Sequence, residues 1–180
     1  VRRRRKFRYK RKKIPVKTLF LFLILSITCF FIGYKLAAQP TLVALPQLST
    51  IGYVQVQPQA FVQENTGIVT LRNECWELTA YTSVDQATSI AMGLEGKIEF
   101  RPLTHDLMRS IFDYFGIKVL MVKIVDIQNN TFIGTIILQK GSKVLSLDSR
   151  PSDGIAIAVR HGVPIYIKQE LLENYGRKIC

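Results

Sequence analysis

Residues 148–167 read DSRPSDGIAIAVRHGVPIYI. Pro151 suits the first turn of a helix, and Asp153 in the opening turn complements the helix dipole. Ile155, Ala158 and Val159 recur at helical spacing, and Gly162 supplies a stop. The stretch predicts a helix over 152–161 and a β-branched strand over 163–167. Residues 101–107, RPLTHDL, repeat the same opening: Arg-Pro, then Thr104 as the predicted N-cap, then Asp106 in the first turn. Each helix start offers free backbone N–H groups beside a guanidinium, an arrangement suited to a phosphate or carboxylate.

The pattern on either side is mixed. Strands are predicted over 52–58, 67–72 and 75–82. Ser83 then caps a helix in which Ala87, Ile90, Ala91 and Leu94 form an apolar stripe, with Gln86 placed as a capping-box partner. Gly93 and Gly96 weaken and end that helix. Leu107, Met108, Ile111, Phe112 and Phe115 give the helix after Thr104 a broad apolar face, with Gly116 as its C′ residue. Strands over 118–127, 131–139 and 143–147 read as a meander, and 170–175 as a short last helix. Strands and helices come in blocks, so the predicted class is α+β: one mixed-sheet domain with three main helices over 51–176.

The two Arg-Pro blocks resemble the bifunctional nuclease (BFN) domain family. That family carries R-P-L-T-H-D-L, a three-strand meander, D-x-R-P-S-D-A-I-A-L-A and a G-x-P-I-Y-V strand. Residues 101–107 match the first block in full. Residues 148–158 match the second with Gly154 in place of alanine and Ile157 in place of leucine, and Gly162–Ile167 fit the final strand. The family's I-G-x-x-E-A-x-A-I stretch is altered here to Thr82-Ser83-Val84-Asp85-Gln86-Ala87-Thr88-Ser89-Ile90, without its Gly and Glu.

The resemblance implies hydrolysis of DNA or RNA phosphodiesters, with nucleic acid as substrate. On that implication His105, Asp106, Asp148 and Asp153 are the candidate catalytic residues. His105 would shuttle a proton, Asp106, Asp148 and Asp153 would hold Mg²⁺ or Mn²⁺, and Arg101, Arg150 and Ser152 would hold the phosphate. Simpler roles compete for the same residues: Asp106 and Asp153 as dipole partners, Thr104 and Ser152 as caps, and Asp148 as a partner of Arg150. A non-catalytic module that binds an anion or a protein partner is the alternative function. Long apolar strands also invite homo-oligomerisation.

The charge balance points elsewhere. Twelve of the 25 Lys and Arg residues lie in the first 35 positions and none of the 13 Asp and Glu do, leaving thirteen of each sign beyond. The net charge of +12 is therefore no footprint of a nucleic-acid-binding surface on the domain, and salt-dependent grip on DNA is not expected from it. Eleven basic residues in 1–17 precede an apolar run, and residues 18–38 are long enough for about 31 Å of helix against a hydrocarbon layer of about 30 Å. This predicts a single-pass signal anchor with a cytoplasmic N-terminus, contact with membrane lipid through 1–38, a stalk over 39–50 and a domain on the far side. A cleaved signal peptide ending near Leu36-Ala37-Ala38 is the rival. Cys29 reads as an apolar filler within the span. Cys180, at the chain end, reads as mobile and unpaired with Cys75.

Overall fold

The computed structural model describes residues 24–29 and 46–180. Two units separate by their contacts, one over 1–44 and one over 45–180. Of the expected membrane segment only residues 24–29 are described, and these are helical; the rest of it, and the basic segment ahead of it, lie outside the described residues. Among the described residues no helix is long and apolar enough to cross a membrane.

The second unit is an eight-stranded mixed sheet with helices. In chain order it runs β1 (Tyr53–Gln63), β2 (Thr66–Arg72), β3 (Trp76–Thr82), α1 (Val84–Glu95), α2 (Thr104–Tyr114), β4 (Lys118–Gln128), β5 (Thr131–Lys140), β6 (Lys143–Ser149), α3 (Pro151–His161), β7 (Ile165–Lys168), α4 (Gln169–Tyr175) and β8 (Arg177–Lys178). The strand order is β6-β5-β4-β7-β1-β2-β3-β8. The meander β4-β5-β6 and the hairpins β1-β2-β3 are antiparallel, and the single parallel pairing, β4 with β7, joins the two halves through β7 and β1. This is the α+β class predicted from the blocks of elements.

The first strand runs five residues beyond its predicted end, through Pro58. The reason is its pairing: β1 meets β7 only over Tyr53–Val56 and then continues with β2 alone, with Pro58 opposite Leu71. One side of the strand is unpaired there, where a missing N–H is tolerated. Asn129 and Asn130, both at positive φ, turn the β4-β5 hairpin as their sequence suggested.

Helix α3 is the centre of the molecule. Gly154, Ile155, Ala156, Ile157, Ala158 and Arg160 are all buried, so the helix is enclosed on nearly every side. It packs on β4 and β5 and touches both α1 and α2, while α1 lies on β1 and β2. The approach of α1 to α3 needs Gly93. A Cβ there would stand 2.6 Å from Val159 Cγ2 and 2.8 Å from Arg160 Nη1. Gly93→Ala gains up to about 1 kcal/mol of helix propensity, but overpacking costs about 1–3 kcal/mol and prevails because Arg160 is locked by its own bonds. A lowered urea midpoint at unchanged m-value is the expected result.

Three expectations at the element ends are corrected. Leu103, not Thr104, is the N-cap of α2, and Arg150 rather than Ser152 caps α3, with Pro151 its first residue. Ser83 caps α1 as predicted, with its hydroxyl accepting from the Gln86 N–H at 3.4 Å. Cys75 and Cys180 are disulfide-bonded, with Cα atoms 4.8 Å apart. The terminal segment is not mobile because β8 adds to the free edge of β3, Ile179 N–H donates to Cys75 O at 2.9 Å, and Arg177 pairs with Glu77 at 2.8 Å. The crosslink spans 105 residues of sequence, so reduction is expected to remove about 2–4 kcal/mol, read as a fall in melting temperature that Cys180→Ser reproduces.

Candidate active site

The starts of α2 and α3 open into one cavity of about 510 Å³. Leu103, Thr104 and His105 line it from α2, Arg150 and Asp153 from α3, Asp148 from the end of β6, and Asp85, Gln86 and Ser89 from α1. The starts of the two helices therefore do share a site, although neither Arg101 nor Pro102 lines it. Its apolar wall is Met108 and Phe112 of α2 against Ile136, Leu138 and Leu147 of the meander.

His105 is the pivot. Its Nδ1 lies 2.9 Å from Ser89 Oγ, and its Nε2 lies 3.5 Å from Asp153 Oδ1. Burial pushes the imidazole below its ordinary pKa. Asp153 and Asp106 oppose that shift, and the charge of Arg160 adds to it. The ring is therefore neutral at pH 7. Asp153 is itself gripped by Arg150, whose Nε and Nη2 donate to its two oxygens at 2.6 and 3.1 Å. In the amide orientation that satisfies its neighbours, Gln86 accepts from Arg150 Nη1 and Nη2 at 2.9 and 3.1 Å and donates to Ser152 Oγ at 3.2 Å and to Thr82 Oγ1. Gln86 therefore does not close a capping box; it braces Arg150 instead.

The other predicted site residues separate. Asp106 is buried, with Oδ1 2.6 Å from Arg160 Nε and Oδ2 accepting from the Leu103 N–H at 2.9 Å. Burial alone would raise its pKa, but the Arg160 hydrogen bond, the Leu103 N–H and the charges of Arg160 and His105 outweigh it and hold the carboxyl below its ordinary value. Asp148 is exposed on the cavity rim, and its carboxylate makes no hydrogen bond or ion pair among the described residues. Arg101 is exposed and lines neither this cavity nor the neighbouring one. Ser152 faces the neighbouring cavity. Sequence reasoning missed Ser89, Gln86 and Arg160. The altered α1 stretch was the signal for the first two: Ser89 and Gln86 stand where the family pattern has Ala and Glu.

This donor set does not fit a resident divalent metal. Both oxygens of Asp106 are taken by Arg160 and a backbone N–H, and both oxygens of Asp153 by Arg150. Only Asp148 of the three carboxylates is uncommitted. Among the described residues, no group of three or more His, Cys, Asp or Glu side chains is gathered to hold a metal ion.

Comparison with known proteins identifies the framework. The bifunctional nuclease domain matches residues 70–179. The chain belongs to the bifunctional nuclease domain family. An uncharacterised protein of Mycobacterium tuberculosis strain H37Rv is 35% identical over 132 residues, 72% of this chain and 76% of the relative. Bifunctional nuclease 1 of Arabidopsis thaliana is 29% identical over 82 residues, 44% of this chain and 25% of that protein. Bifunctional nuclease 2 of the same plant is 30% identical over a stretch of the same length. The matched stretch is a quarter of each plant protein and less than half of this BFN chain.

Proposed function

We propose that this BFN domain hydrolyses phosphodiester bonds of single-stranded nucleic acid at the shared mouth of α2 and α3. One observation carries the reading: His105, Asp153 and Arg150 form a connected chain in a cavity of a member of a nuclease-domain family. In the tautomer in which Nδ1–H donates to Ser89 Oγ, Nε2 is left unprotonated on the Asp153 side of the ring, 3.5 Å from Oδ1. It takes a proton from the attacking water, and Asp153 stabilises the imidazolium that results. Asp148, free of internal partners, orients that water. Arg150 stays charged and keeps one N–H beyond those bonded to Asp153 and Gln86 for the phosphoryl oxygen.

The test is cleavage of labelled single-stranded DNA and RNA by the full chain, with Mg²⁺, with Mn²⁺ and with chelator. Wild type is expected to cleave and Asp153→Asn to lose most of the rate. A wild type that cleaves neither strand under any of these conditions overturns the reading in favour of a binding module. Chelator is also expected to leave the melting temperature unchanged, since no metal ligand set is gathered among the described residues.

The membrane anchor over 18–38 belongs to the same proposal. The eleven basic residues before it and the helical residues 24–29 support it. So does the Cys75–Cys180 disulfide, because such bonds persist outside reducing compartments. Protease added to intact cells is expected to digest the domain and spare the basic segment.

A further inference from the structure

A second cavity, of about 530 Å³, opens beside the first. It occupies the helix-bearing face of the sheet, between the β2-β3 and β4-β5 hairpins. Val69 and Leu71 share a face with Gly67, which lies under α1, and Ile124 shares one with Val122, which lies under α3. Its floor is apolar, formed by Leu71, Leu78, Ile124 and Ile155. Two aromatic rings stand at its side, Phe132 and Tyr175, packed edge to face at 6.0 Å. Tyr175 is 52% exposed, so its ring keeps a face open to a further partner. Asn130 adds an amide.

The two cavities share Gln86 and Arg150. The braced guanidinium is therefore the ridge between a polar site and an aromatic one. The charge around that ridge does not attract a polyanion. Asp85, Asp148 and Asp153 line the first cavity against Arg150 alone, and the chain beyond residue 35 has no net charge. Affinity for a nucleic acid must then come from something other than phosphate neutralisation. Stacking of bases on aromatic rings is the available source, and it needs unpaired bases.

We propose that the second cavity receives the base of a nucleotide adjacent to the scissile phosphate, stacked on Tyr175, while Arg150 holds the phosphate that joins the two cavities. This rests on the nuclease reading for its register, but not for its test. The volume lies within the range of about 300–1,000 Å³ usual for small-ligand pockets. The substrate class that follows is single-stranded nucleic acid with intact bases, since a paired base cannot turn into a pocket without leaving its stack.

The experiment measures binding, not turnover. The full chain is titrated with a short fluorescein-labelled single-stranded DNA and with the same strand carrying abasic nucleotides. Wild type is expected to bind the abasic strand roughly 10-fold more weakly. Tyr175→Ala is expected to lose a similar factor on the intact strand and little more on the abasic one, while Tyr175→Phe keeps wild-type affinity. Tyr175 is exposed, so both variants retain the fold, checked by an unchanged melting temperature. Equal affinity of wild type for the two strands, or a Tyr175→Ala variant that binds both as wild type does, overturns the proposal. So does an apolar fluorescent probe displaced from the cavity by oleate but not by DNA, which would make it a lipid site. Base-dependent binding without cleavage sinks the nuclease reading alone; base-independent binding with cleavage sinks this one alone.

Discussion

Arg160→Leu is expected to destabilise the domain by about 3–5 kcal/mol, the usual cost of stranding a buried charge. Arg160 sits near the end of α3, 7% exposed. Its Nε holds Asp106, and its Nη1 donates to Ser89 O at 2.8 Å and Ala156 O at 2.9 Å. One guanidinium thereby joins all three main helices. Leucine removes every one of these bonds and leaves a carboxylate buried 6% exposed with only the Leu103 N–H. The group is already imperfectly served, because Arg160 Nη2 is buried without a hydrogen-bond partner, and that makes the pair a poor source of net stability compared with an apolar replacement. The double variant Asp106→Leu/Arg160→Leu is therefore expected to recover much of the single-variant loss, less the α2 cap that Asp106 supplies. Urea unfolding of the four proteins of the cycle measures both quantities. A single-variant loss below about 1 kcal/mol, the level of a surface pair, would mean that water reaches the pair. The pH dependence follows from the depressed Asp106 carboxyl: its stabilisation is present above the ordinary carboxylate pKa and is lost as pH falls through the lower value of the folded state.

This ion pair also shows where sequence reading stops. The α+β class, the meander and the turn at Asn129-Asn130 all follow from local patterns, because caps, turns and periodicity act over a few residues. A carboxylate in a first helical turn looks the same whether it faces solvent or a buried arginine. The partner of Asp106 is 54 residues away, and nothing near Arg160 marks it as anything but a basic residue at a helix end. Ser89 and Gln86 fall on a helix whose apolar stripe explains its presence without them. Their contacts, with His105 across 16 residues and with Arg150 across the α1–α3 approach, exist only once Gly93 lets those helices close. The disulfide was hidden by the same cause, since the two-residue strand that steadies Cys180 has no periodicity to read. The metal triad came with the family resemblance, and neither resemblance nor residue type reveals that two of its three members pair with arginines.

His105→Ala is expected to lower the rate of strand cleavage by about 10²–10⁴-fold, the range for removal of a general acid–base group, at nearly unchanged KM. The KM argument is geometric: the imidazole is half-buried between Ser89 and Asp153 and holds no group assigned to substrate binding. The sign of the pH dependence follows from burial. A base must be neutral, and this ring's pKa lies below its ordinary value. Activity should therefore rise with pH through an apparent pKa below about 6.5 and be flat by neutrality. Ser89→Ala separates positioning from packing. It removes the hydroxyl at Nδ1 and so the group that holds the base-competent tautomer, while the side chain it leaves is the alanine of the family pattern and fits the helix. Its expected signature is a fall in kcat with a displaced acid limb, at an unchanged melting temperature. A merely structural serine would move the melting temperature and leave the limb where it is. An acid limb that stays in place in both Ser89→Ala and His105→Ala would assign the titration to another group, with Asp148, the uncommitted carboxylate on the cavity rim, the next to replace.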